Sequence, residues 1–113
     1  MQYEEILPLD RNEILRLLSS QSPDDIITGI FAAALFESDR LWATSVCVDH
    51  LQRSDSTVCA AAITGLSHIA RIHGALDLES IVPILKELQN NPELEGRIQD
   101  TLDDISLFIS VER

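Results

Sequence analysis

Asp55-Ser56-Thr57-Val58-Cys59-Ala60-Ala61-Ala62-Ile63-Thr64-Gly65-Leu66 is the stretch on which the fold turns. An aspartate ahead of small hydroxyl residues opens a helix, because its carboxylate accepts bonds from the first free backbone N–H groups. Val58, Ala62, Leu66 and Ile69 follow at spacings of three and four, which line one helical face. The same pattern lies on both sides. Ile26, Ile30 and Ala34 stand 32 residues earlier, and Leu94, Ile98 and Leu102 stand 36 residues later. The copies begin on Ser-Pro, Ser-Asp and Asn-Pro.

Further helix signals fill the gaps. Asp10 caps a first helix to about Ser19, with Ile14, Leu15, Leu17 and Leu18 on its apolar side. Ser22-Pro23-Asp24-Asp25 joins a capping serine, a proline at the first helical position and two acids at the positive dipole end. That second helix runs through Ala33 to about Glu37. Asp39 opens a third helix to about Arg53, and Gly74 fits the end of the fourth. A fifth covers about 78–89 with Pro83 inside it, and Asn91-Pro92-Glu93 starts a sixth that reaches about Ile109. Connections this short make sequential neighbours antiparallel. The expected fold is all-α: a short α-solenoid of about three antiparallel helical hairpins, near 10–37, 39–73 and 78–109, forming one domain over 1–113. An irregular helical bundle is the alternative.

Composition agrees. Of 113 residues, 45% are apolar but only 4% aromatic, a profile that favours helices over a sheet core. The formal net charge of −11 excludes direct nucleic-acid binding, which needs a basic footprint. The N-terminal Met1-Gln2-Tyr3-Glu4-Glu5 has no basic n-region, and no apolar run is long enough for a membrane span. Cys47 and Cys59 are too few for a disulfide framework, so a cytoplasmic protein with two buried, reduced thiols is expected.

Catalytic and metal chemistry find no foothold. His68 and His73 are five residues apart, so on a helix they point about 140° away from each other. Neither HExxH nor a glycine-rich phosphate loop after a strand is present, and the serines have no His and acid in recognisable order. A protein that is not an enzyme, with no cofactor and no metal, is expected.

The negative charge is unevenly placed. Residues 1–39 carry net −6, residues 40–76 net +1 and residues 77–104 net −6. Polar outer faces on terminal repeats explain part of this. The sixth helix asks for more. With Leu94, Ile98, Leu102, Ile105 and Ile109 buried, Glu93, Gly96, Asp100, Asp103 and Asp104 fall on the opposite side around Leu107. Asp100 and Asp104 form an i, i+4 like-charge pair that folding does not require. An apolar anchor among carboxylates suits a grip on a basic protein. On the third helix Leu41, Cys47, Val48 and Leu51 form the expected apolar side. Trp42 faces with Asp49 and Arg53, either packed on the first hairpin or exposed as an anchor. On the fourth, Thr64, Ser67, His68 and Arg71 fall away from the apolar stripe and suit the floor of a solenoid groove.

The tetratricopeptide pattern is absent after Trp42. The Asp55–Leu66 stretch, with its Asp opener, Val and Ala-rich middle, instead resembles the second helix of a HEAT-type repeat of shortened kind. Gly65-Leu66-Ser67-His68-Ile69-Ala70-Arg71-Ile72-His73-Gly74, Leu76-Asp77 and Asp100-Thr101-Leu102-Asp103-Asp104-Ile105 resemble small bacterial HEAT-like immunity proteins. Those accompany toxins of contact-dependent growth inhibition and related polymorphic toxin systems. The resemblance covers the last two hairpins, roughly half the chain. It implies a monomer that forms a 1:1 heterodimer with a cognate toxin domain in the cytosol and blocks its active site. Such toxins are often nucleases with basic clefts. The expected partner-binding residues are Glu93, Asp100, Asp103, Asp104, Leu107, Trp42, His68 and Arg71. A HEAT-like scaffold or adaptor, binding an endogenous basic protein without inhibiting it, is the rival reading. A HEAT-like lyase acting on a bound chromophore would need a nucleophile and pocket that the sequence does not offer.

Overall fold

The computed structural model describes residues 7–52 and 55–109, and these hold six α-helices. They are α1 (Arg11–Leu18), α2 (Pro23–Phe36), α3 (Arg40–Asp49), α4 (Ser56–His73), α5 (Leu78–Leu88) and α6 (Glu95–Phe108). No strand occurs among the described residues. Arg53 and Ser54, expected at the end of the third helix and the start of the fourth, lie outside them, as do the first six residues.

Three of the expected caps form as local chemistry dictates. Asp10 accepts from the Glu13 amide, Asp39 from Trp42, and Asp55 from both Thr57 and Val58. Gly74 closes α4 in the left-handed region at φ 68°, where its amide reaches Ala70 O. Two starts differ from expectation. Ser22 makes no side-chain cap; Ser20 Oγ instead accepts from the Ser22 amide and donates to Asp25. Asn91 turns the chain ahead of α6: its side chain accepts from the Glu93 amide and its carbonyl from Leu94. The helix therefore begins at Glu95, four residues after Asn91.

The helices pair as α1 with α2, α3 with α4 and α5 with α6. Within the second pair Cys47 faces Gly65, while the Cys59 thiol donates to Leu51 O, so the two helices run antiparallel. The second members then stack: α2 packs on α4 and α4 on α6. Along α4 and α6, Thr64 meets Arg97, Ser67 meets Thr101 and Gly74 faces Phe108, each about one repeat apart. That constant offset makes the inner helices parallel and in register, as stacked hairpins require. The core follows the inner layer, with Ile30, Ala34, Val58, Ala62, Leu66, Ile69, Ile98 and Ile105 buried. Three small residues in α2, Ala32, Ala33 and Ala34, are fully enclosed, which lets the neighbouring helices approach closely.

The third helix is corrected in extent and phase. It ends at Asp49 and not near Arg53; single turns carry His50 and Leu51 back to Cys47 and Val48. Its buried side is Ala43, Thr44, Val46 and Cys47, whereas Leu41 is 67% exposed. On α1, Leu15 is exposed and Ile14 is the buried contact. Both cysteines are free and buried, as expected for small helix-packing residues.

Candidate functional site: the groove between α4 and α6

The in-register stacking of α4 on α6 leaves an open groove of about 390 Å³ on the inner layer. From α4 it is lined by Thr64, Ser67, His68 and Arg71, the four residues whose phase on the sequence suggested a groove floor. Across from them stand Arg97, Asp100, Thr101, Asp104 and Phe108 of α6.

The floor is a hydroxyl pair. Ser67 Oγ donates to Thr101 Oγ1 at 2.9 Å, and Thr101 lies 3.4 Å from the Ile63 carbonyl. Thr101 is 1% exposed, so its hydroxyl is satisfied inside the protein, as a buried polar group must be. At one end Arg97 Nη1 donates to Thr64 Oγ1 at 2.7 Å. Further along, Arg71 Nη2 lies 2.9 Å from His68 Nδ1, which accepts only when the imidazole is neutral. Burial lowers the His68 pKa, the neighbouring Arg71 cation lowers it further, and Asp104 opposes them. The His68 ring also meets Phe31 edge to face at 5.8 Å, anchoring α4 to α2.

Each cation of the groove is thus bonded to a neutral partner. Arg11, away from the groove, forms ion pairs with Glu37 at 3.0 Å and Asp39 at 3.5 Å. Among the described residues Asp100 and Asp104 form no ion pair.

The expected site residues separate into groups. His68, Arg71, Asp100 and Asp104 come together in the groove. Asp103 lies outside it, exposed, and accepts from Gln99 at 3.0 Å. Leu107 is 75% exposed on the same helix. Glu93 is exposed in the turn before α6, not on the helix itself. Trp42 belongs elsewhere: it is half-buried on α3, and the Arg11 guanidinium lies 4.3 Å from its ring centroid. Arg97, Thr101 and Phe108 were missed as groove residues; the repeat offset between α4 and α6 was the signal that could have found them.

No group of three or more His, Cys, Asp or Glu is placed to hold a metal among the described residues. No described helix is long and apolar enough to cross a membrane.

Among solved structures, a chain from the crystal structure of a CDI complex from Cupriavidus taiwanensis LMG 19424 superposes with a TM-score of 0.83. The chain resembles a component of a CDI complex. The likeness to that CDI chain covers 96% of each chain, so all three hairpins and their stacking are shared, at 25% sequence identity. No family model and no curated protein matches the sequence.

Proposed function

We propose that the chain is an immunity protein of a contact-dependent growth inhibition system. It binds a cognate toxin domain stoichiometrically, as a monomer in a 1:1 heterodimer, and blocks the active site without turnover. The observation that carries this reading is the end-to-end likeness to a chain of a CDI complex. Its hairpins are read as shortened HEAT-like units in one domain over 1–113.

Charge supports the reading independently. At net −11 the protein has a field suited to a basic partner, and such fields accelerate capture. A toxin domain with a basic, phosphate-holding cleft, a nuclease, fits this field best. Asp100, Asp103, Asp104 and Glu93 would meet the cleft's Arg and Lys residues, with Leu107 supplying buried apolar contact and the groove residues His68 and Arg71 at the edge. Trp42, covered by Arg11, contributes to packing in this account. The site of action is the cytoplasm, where the toxin would meet its target.

The test is co-expression with the toxin domain encoded beside this chain's gene. Growth should be rescued by the wild-type chain. Binding without rescue would instead favour the adaptor reading.

A further inference from the structure

We propose that the groove between α4 and α6 receives one arginine side chain of the protein partner, its guanidinium bridging Asp100 and Asp104. This rests on the toxin-binding reading and names the chemistry that reading would capture.

Four charged side chains line one groove, yet none of them pairs with another. Arg97 is spent on Thr64 and Arg71 on His68, both neutral acceptors. The two carboxylates therefore keep their full acceptor capacity beside two cations that could have neutralised them. The four charges cancel, so the groove is no general sink for cations, and its selectivity must come from local placement.

Placement favours arginine. Asp100 and Asp104 are one turn apart on α6, with about 6 Å between Cβ atoms at that spacing. A planar guanidinium presents donors on two edges and can bond carboxylates on both, whereas an ammonium is a point charge. Phe108, one turn further on and 39% exposed, offers a ring for the aliphatic stem or for stacking. The half-buried Ser67 hydroxyl, which donates to Thr101, lines the same groove as an additional acceptor. Leu107, exposed on the adjoining surface of α6, makes the groove continuous with the proposed interface. A partner protein is thereby a better occupant than a free small molecule. Asp103, outside the groove and held by Gln99, meets the cleft's cations with Glu93 at the solvent-exposed rim, where charges act chiefly on association.

The experiment is binding kinetics with the purified toxin domain from the same system. The variants are D100N/D104N and D103N/E93Q, each checked for unchanged helical circular dichroism. D100N/D104N should dissociate at least about tenfold faster with an association rate within about threefold of wild type. D103N/E93Q should do the reverse: slower association, weaker salt dependence and near-wild-type dissociation. Arginine-to-alanine changes across the toxin domain should include one whose effect disappears in the D100N/D104N background. An unchanged dissociation rate for D100N/D104N, or no such coupled arginine, overturns the groove assignment and leaves the immunity reading standing. Wild-type protein that fails to bind the toxin domain overturns both.

Discussion

Gly65 lies so close to Cys47 that a Cβ on the glycine would stand 2.7 Å from the thiol sulfur. The same Cβ would meet Ala34 and Ile30 of α2 at 3.5 Å, an ordinary contact. Gly65 is therefore where α4 meets both its hairpin partner and the preceding repeat, and the missing side chain permits a close approach there. Cys47 is fully buried at this point.

A Gly65→Ala change should destabilise the protein by about 1–3 kcal/mol through overpacking. The ~1 kcal/mol by which alanine is favoured over glycine in a helix interior offsets part of that cost, leaving a net loss of up to about 2 kcal/mol. Urea denaturation measures the loss. Adding Cys47→Ala to the same chain should recover part of it, because the clash is with the sulfur.

The two thiols should be silent in the native state. Burial pushes the Cys47 pKa up to about 12 and also raises that of Cys59, whose Sγ donates to the Leu51 carbonyl at 2.8 Å. Thiolate, the reactive form, is then scarce at neutral pH. A thiol-exchange reagent at pH 7.5 should label neither cysteine until denaturant is added, and should then label both.

Stability should fall as the medium is acidified through the histidine range, with His68 as a cause. Its folded pKa lies below the ordinary value near 6.5, so in that range the unfolded chain binds the extra proton more readily. The contribution is fully present above the unfolded value near 6.5 and is lost as pH falls from there through the lower folded pKa. Urea midpoints at pH 7.5 and 5.5 should therefore differ more for wild type than for His68→Gln. A proton titration of His68 that gave an ordinary or raised pKa would contradict this.

Arg11 ties α1 to the turn between α2 and α3 through Glu37, Asp39 and the Trp42 ring. The pairs are partly exposed, so the whole cluster is worth little: Arg11→Ala should cost about 1 kcal/mol, less at high salt. Toxin affinity should stay within twofold, since this cluster lies apart from the groove.

The helix order and most boundaries were readable because capping is local: Asp10, Asp39 and Asp55 accept from amides within three residues, and the Gly74 amide donates to Ala70 O four residues back. The parallel inner layer was readable because the same apolar spacing recurs in α2, α4 and α6. The phase of α3 was not. Leu41 looks like core by composition, yet α3 touches α2 and α4 through Ala43, Val46 and Cys47, a choice made by tertiary packing. The start of α6 was misjudged because Asn-Pro serves equally as a helix opener and as a turn, and here Asn91 turns first. The carboxylates of α6 were legible as a face, but their separation into groove (Asp100, Asp104) and outer surface (Asp103) depends on α4 standing beside them. Likewise, nothing local marks Arg97 and Phe108 as the groove's far wall.

Calorimetric titration of the purified chain with the toxin domain encoded beside it, at physiological salt, decides whether the protein is that toxin's inhibitor. Wild type should bind 1:1 and tightly. A chain carrying Asp100→Lys, Asp103→Lys and Asp104→Lys together should lose at least about a hundredfold in affinity, ~2.7 kcal/mol, with its helix content intact. A wild-type chain that does not bind would contradict the immunity reading, and a triple variant that binds as tightly would contradict the assigned surface.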